Sequence, residues 1–166
     1  MIYTQKLVIL RGNSGSGKSS IAKKLREESS RKIALIEQDY LRRTVLKEKE
    51  KTDGDNIDLI YQTVIFSLEH KYDVILEGIL NFKRYGKMLQ ALIHQCPDHY
   101  VYWFDITFEE TLKRHVTKGN AHEFGEMEMR KWYNQDDRTR FLNEKIIPES
   151  SSFNETVKYI QKESHL

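Results

Sequence analysis

The sequence predicts an α/β fold in which parallel strands form a sheet covered by helices on both faces. Three observations lead there. Five short apolar segments alternate along the chain with segments of helical periodicity. Several of the apolar segments are continuous runs, as expected of parallel strands buried on both sides. Residues 12–19, Gly12-Asn13-Ser14-Gly15-Ser16-Gly17-Lys18-Ser19, fit the pattern G-x-x-x-x-G-K-[S/T] between an apolar run, Leu7-Val8-Ile9-Leu10, and a helix-like stretch, Ser20-Ile21-Ala22-Lys23-Lys24-Leu25-Arg26. Strand, glycine-rich turn and helix form the context that gives this pattern its meaning.

The first strand is expected over residues 6–11 and the loop after it binds phosphate. Glycines 12, 15 and 17 open backbone angles closed to other residues and let main-chain N–H groups approach an anion. The helix that follows adds orphan donors and a partial positive charge at its N-terminus. Lys18 is placed to reach the β- and γ-phosphates of a nucleotide and Ser19 to ligate Mg²⁺ through its hydroxyl. The expected nucleotide contacts are Gly12, Asn13, Ser14, Gly15, Ser16, Gly17, Lys18, Ser19 and Ser20.

The second strand, 32–37, runs into Gln38-Asp39-Tyr40-Leu41-Arg42-Arg43. Ligands of open α/β sheets sit at the carboxyl ends of strands. A carboxylate there can orient or deprotonate an acceptor hydroxyl, and Asp39 is the candidate base; its other use is to cap a following helix. Arg42 or Arg43 would hold an anionic or polar part of the acceptor, or would line a solvated helix face. Residues 56–70 place Ile57, Ile60, Val64, Ile65 and Leu68 on one face of a helix. The third strand, 73–79, ends in Leu76-Glu77-Gly78. Glu77 occupies the position that holds Mg²⁺ through water and faces the substrate; a capping or salt-bridging carboxylate is the alternative. Asn81, Lys83 and Arg84 in the next turn are acceptor contacts or ordinary loop residues.

A helix over 84–96 offers Met88, Leu89, Leu92 and Ile93, and the fourth strand, 99–105, ends at Asp105. The helix over 107–117 carries Phe108, Leu112 and Val116, together with Lys113, Arg114 and His115. Arg114 and Lys118, four apart, share a face. After the breaker-rich stretch 119–125 a charged helix is expected over 126–142, with Arg130, Lys131, Trp132 and Tyr133. This hairpin reads as a lid over 113–131 whose cations stabilise developing charge, Arg114 foremost with Lys118 or Arg130, or as a solvent-facing hairpin. Trp132 and Tyr133 either stack on a ring or pack into the core. A short fifth strand, 145–147, and a helix over 153–163 complete the chain.

At 166 residues the chain is expected to be one domain, 1–166. A net charge of +2 gives no argument for nucleic acid or a membrane surface as partner. No apolar run approaches a membrane span, and the N-terminus runs into the first strand with no signal peptide, so a cytoplasmic protein is expected. The single cysteine, Cys96, precludes an intrachain disulfide, and the six histidines lack zinc-ligand spacing. Monomer and homodimer are both compatible with the composition.

With these residues placed, the chain resembles P-loop small-molecule kinases along nearly its whole length. Gln38-Asp39-Tyr40 and Asp73-Val74-Ile75-Leu76-Glu77-Gly78-Ile79-Leu80 resemble the acceptor-binding aspartate motif and the "EGIL" strand of uridine kinases. Phe104-Asp105-Ile106-Thr107 through Arg114-His115 is similar to the zeta-toxin and chloramphenicol-phosphotransferase group. The resemblance implies a three-layer P-loop NTPase fold with a five-stranded parallel sheet in the order 2-3-1-4-5 and a small helical lid. It also implies ATP as donor, Mg²⁺, Asp39 as base, and adenine near Pro148–Ser152. The acceptor it implies is a small molecule with a free hydroxyl: a nucleoside such as uridine first, an antibiotic or nucleotide sugar next. A nucleotide-dependent switch that transfers nothing is the reading from a different class.

Overall fold

The computed structural model of the chain describes residues 1–117 and 121–166. Its sheet contains β1 (Leu7–Gly12), β2 (Ile33–Glu37), β3 (Asp73–Gly78), β4 (His99–Asp105) and β5 (Lys145–Pro148). They are hydrogen-bonded in the order β2-β3-β1-β4-β5, and every pairing is parallel. This is the order that the resemblance implied.

The apolar runs are continuous because both faces of the sheet are covered. Side chains alternate along β1. Leu7 and Ile9 join Ile60, Val64 and Leu68 of α2 (Asp55–Glu69) and Leu89 and Leu92 of α3 (Phe82–Gln95). Val8 and Leu10 point the other way, into a core with Ile21 and Leu25 of α1 (Lys18–Glu28) and Val157 and Ile160 of α6 (Phe153–Ser164). Each buried side chain of this size contributes about 1.5–3 kcal/mol, so the two cores fix the sheet and, with it, the positions of its strand ends.

The chain leaves β1 through the glycine-rich loop, forms α1 and reaches β2 at one edge of the sheet. β3 then inserts between β2 and β1, while β4 lies on the far side of β1. The order reverses at β1, which opens a crevice at its carboxyl end. Glu37 and Glu77 are register partners on β2 and β3, so their carboxylates reach this crevice side by side.

One expectation and one alternative need correction. The charged helix over 126–142 is shorter: α5 spans Glu126–Trp132, and the chain then runs irregularly to a 3₁₀ turn at Arg140–Leu142. Residues 134–140 contain no apolar side chain to bury, and Asn134 and Asp137 are drawn into bonds with the loop and β1 instead of a helical ladder. Asp39 does not cap the π-helical turn Tyr40–Val45 that follows β2, because its carboxylate makes no bond to that turn's N–H groups. Of the expected lid, α4 (Phe108–Val116) and α5 are in place; Lys118, with Gly119 and Asn120, lies outside the described residues.

Candidate active site

The loop between β1 and α1 owes its shape to two glycines. Gly15 (φ +80°) and Gly17 (φ +94°) adopt left-handed angles that cost other residues energy. A Cβ on Gly15 would stand 2.5 Å from the carbonyl oxygen of Thr111, so α4 lies directly on the loop. One turn further along α4, the Arg114 guanidinium Nη1 donates to the Ser16 carbonyl at 2.9 Å and Nε to Glu110 Oε1 at 3.0 Å. Lys18 is buried, and its Nζ donates to the Asn13 carbonyl at 3.1 Å. The Asn13 side chain binds main chain at both ends of its amide: Nδ2 donates to the Asn134 carbonyl at 2.7 Å and Oδ1 accepts the Asn134 N–H at 2.8 Å.

Beside the loop, Ser19 Oγ donates to Glu77 Oε1 at 2.9 Å. Burial pushes the Glu77 carboxyl above its usual range. Nearby Glu37 and Asp39 push the same way, while Lys18 and the Ser19 hydroxyl oppose them. A hydroxyl and a carboxylate are the hard oxygen donors that Mg²⁺ takes. Among the described residues no group of three or more His, Cys, Asp or Glu gathers to hold a metal, so a cation here would complete its shell with phosphate oxygens and water.

Two cavities open on either side of this pair. One, about 1010 Å³, passes Ser16, Gly17, Ser20 and Arg114 and ends at residues 148–152; the loop where the resemblance implied adenine therefore forms its far wall. The other, about 700 Å³, passes Ser14, Gly15 and Lys18 and extends over Tyr85, Trp132 and the start of α3. The residues common to both walls are Ser19, Asp39, Arg43 and Glu77. Asp39 is half-exposed, and a single oxygen, Oδ1, accepts from both Arg42 Nη2 at 3.0 Å and Arg43 Nε at 3.1 Å.

Most of the expected residues therefore converge. Loop residues 14–20, Asp39, Glu77, Arg42, Arg43, Arg84 and Arg114 all line one cavity or the other. Gly12 and Asn13 do not; they brace the loop from behind. Arg130 also stands apart: it pairs with Glu126 at 2.7 Å and lies over the Phe108 ring, on the outward side of α5. Tyr133 packs against Phe108 and donates to the Ile106 carbonyl, whereas Trp132 lines the second cavity. Arg43 lies 5.4 Å from the ring centres of both Phe124 and Trp132.

One supporting group escaped the sequence reading. Arg11, fully buried, donates to the Leu80 carbonyl, to Asp137 Oδ2 at 2.5 Å and to Glu144. A charge next to the glycine-rich loop in an otherwise apolar strand was the available signal, since such a charge must find partners.

The AAA domain family profile matches residues 7–142. No curated relative matches the chain. Among solved structures, the chain is similar to APE1195 (18% identity, TM-score 0.72, covering 99% of this chain and 97% of that one). It is similar also to the APS kinase of Mycobacterium tuberculosis in complex with AMPPNP and APS (18%, 0.70, 98% and 98%) and to a gluconokinase from Sinorhizobium meliloti (17%, 0.67, 99% and 94%). Identities this low establish a common fold.

Proposed function

This chain belongs to the AAA domain family, and we propose that within it the protein is an ATP- and Mg²⁺-dependent kinase that phosphorylates a hydroxyl group of a small molecule. The observation that carries the proposal is the meeting of two cavities at Ser19, Asp39, Arg43 and Glu77. A donor and an acceptor lying in the two cavities would face each other across one carboxylate that can take a proton and another that can hold a metal. That several structural neighbours are described as kinases of small molecules supports the reading.

In this reading the amides of residues 14–19 and Lys18 cradle the donor's phosphates, and the 148–152 loop faces its base. Ser19 and, through water, Glu77 would hold Mg²⁺, whose charge would offset that of the donor's phosphates. Asp39 Oδ1 is occupied by two arginines; Oδ2 accepts the acceptor's hydroxyl proton. The acceptor oxygen bonds to the γ-phosphorus, the bond from that phosphorus to the β,γ-bridging oxygen breaks, and ADP leaves. Arg114, set on the loop at Ser16, neutralises charge on the transferring group. Residues 1–166 act as one domain, with 113–131 closing over the cleft to exclude water. Acceptors are tried in the order nucleoside such as uridine, antibiotic, nucleotide sugar.

The test is ADP release from Mg²⁺-ATP across an acceptor panel. Lys18→Ala removes turnover while acceptor binding survives. Asp39→Asn lowers kcat about 10²- to 10⁴-fold, the usual worth of a positioned base. Full activity in Asp39→Asn removes Asp39 from that role. Stabilisation by ATP analogues without ADP release for any acceptor points instead to a nucleotide-dependent switch.

A further inference from the structure

The second cavity is far more basic than the cleft beside it. Seven of its lining residues are basic and three are acidic, against three basic and five acidic around the nucleotide cavity, in a chain whose net charge is only +2. Three of the seven are engaged at the reaction centre. Lys18 lies against the loop, and Arg42 and Arg43 hold Asp39, with Arg42 also 2.9 Å from Glu50.

The other four are Lys49, Lys83, Arg84 and Lys131. Arg84 reaches Glu50 only at 3.9 Å. Among the described residues, the side chains of Lys49, Lys83 and Lys131 make no ion pair or hydrogen bond, although the charge of Lys131 acts on Glu128. Lys83 and Arg84 also sit in the first turn of α3, which has no acidic residue. The helix's own positive end repels cations there, so the fold gains nothing from placing them at that point. The donor's phosphates have loop amides and a metal site to neutralise them. A ligand deeper in this second cavity has instead these side chains and the positive end of α3.

We propose that the acceptor is a hydroxyl compound carrying an anionic group, a phosphate, sulfate or carboxylate, which Lys83 and Arg84 hold, with Lys49 and Lys131, while its hydroxyl faces Asp39. Its status as an acceptor rests on the kinase reading above. Arg43, 5.4 Å from the ring centres of Phe124 and Trp132, which meet edge-to-face, joins these rings in an aromatic wall of the same cavity. A neutral acceptor would cover these cations without pairing them, which is a loss; an anionic one recovers that loss as selectivity.

The experiment uses matched pairs that differ in the anionic group: glucose with gluconate, and uridine with uridine 5′-monophosphate. Each is titrated by calorimetry into the whole protein loaded with Mg²⁺ and AMP-PNP, and ADP release is then measured with ATP. In at least one pair the anionic member binds about tenfold or more tightly, and raising NaCl from roughly 50 to 300 mM shrinks the ratio, as screening of exposed charges requires. Lys83→Ala/Arg84→Ala brings the ratio to within about threefold of unity. Both residues are exposed, and Lys83→Gln/Arg84→Gln serves the same purpose if the first pair folds poorly. Equal or tighter binding of the neutral members, a preference that persists in the double variant, or no binding by any member overturns the proposal. So does tighter binding of a 5′-hydroxyl oligonucleotide than of every small anion. Anion preference with no ADP release defeats the kinase reading and leaves the anion site; turnover without anion preference does the reverse.

Discussion

Replacing Gly15 and Gly17 separately by alanine tests whether α4 rests on the phosphate loop. Both glycines have left-handed φ, at +80° and +94°, so either alanine costs about 1–2 kcal/mol in backbone conformation. The two differ in what the new methyl group meets. At Gly17 the nearest atom is Arg114 Nη1 at 3.6 Å, ordinary contact with the end of a flexible side chain; at Gly15 it is the Thr111 main-chain oxygen at 2.5 Å. That oxygen cannot rotate away, so the loop and α4 must separate, a further cost of about 1–3 kcal/mol. For a domain of this size each kcal/mol lowers Tm by about 2–4 °C. Gly17→Ala is therefore expected to lose about 2–8 °C and Gly15→Ala about 4–20 °C, measured by thermal unfolding without nucleotide. Gly15→Ala should also loosen the Arg114 bond to the Ser16 carbonyl, so its affinity for ATP falls further than that of Gly17→Ala. Met129 Cε lies 3.2 Å from the new methyl position, but it is not the obstruction, so Met129→Ala on the Gly15→Ala background gives no recovery. Equal Tm values for the two variants, or recovery through Met129→Ala, would refute the placement of Arg114 through this contact.

Two further outcomes follow from the same geometry. Glu48 accepts the N–H groups of Asp55 and Asn56 at the start of α2 and the Asn56 side-chain amide, bonds that pull its carboxyl from 4.5 down to about 2; the stability it adds is complete above the ordinary carboxyl pKa and is lost as pH falls through about 2. Urea unfolding should thus separate wild type from Glu48→Gln at pH 7 and by a smaller margin near pH 3, and a margin that grows on acidification contradicts the assignment. Ser19→Ala removes the hydroxyl proposed to ligate Mg²⁺, which is also the donor to Glu77, so the Mg²⁺ concentration for half-maximal ADP release should rise about tenfold or more; an unchanged requirement removes Ser19 from the proposed metal site.

The legible part of the molecule was the part written in contiguous residues. Strands read as 6–11, 32–37, 73–79, 99–105 and 145–147 lie within one residue of those observed at each end, because a strand covered on both faces is a run of apolar residues with polar ends. The glycine-rich loop was legible because its conformation demands glycine at fixed spacing. Asp39 and Glu77 were legible because they stand where strands stop and a crevice opens. The corrections fall where structure is held by side chains from far along the chain. Nothing local in Asn-Gln-Asp-Asp-Arg, residues 134–138, announces that Asn134 will cross to Asn13 or that Asp137 will meet Arg11, more than a hundred residues away. The charge content there suggested a solvated helix; instead Asp137 meets the buried Arg11, while Asp136 and Arg138 pair with each other at the surface. Nor could spacing alone separate Arg114 from Arg130, since both lie on charged helices. They are distinguished by which face of the hairpin meets the loop.

Those long-range bonds also bear on how the site works. Arg11 and Asn13 flank Gly12 where β1 turns into the loop, and both are bound to the stretch that leaves α5: Arg11 to Asp137 and Glu144, Asn13 to Asn134. The neighbouring Trp132 and Lys131 line the second cavity, the one proposed to take the acceptor. From the other direction, α4 touches the loop at Gly15 and carries Arg114 over Ser16. The glycine-rich loop is therefore gripped on both sides by the elements that bound the second cavity. Any shift of the loop amides as they close on an anion is transmitted through Asn13 and Thr111 to those elements. Nucleotide binding should then raise affinity for the acceptor, and by linkage the acceptor should raise affinity for nucleotide by the same factor. Asn13→Ala removes the Asn134 bonds from one of the two grips and replaces no residue of a cavity wall, so it should reduce this mutual enhancement while each ligand alone still binds. Enhancement that survives intact in Asn13→Ala would show that the Asn13–Asn134 bonds do not carry the coupling, leaving it to Arg11 or to Thr111 and α4.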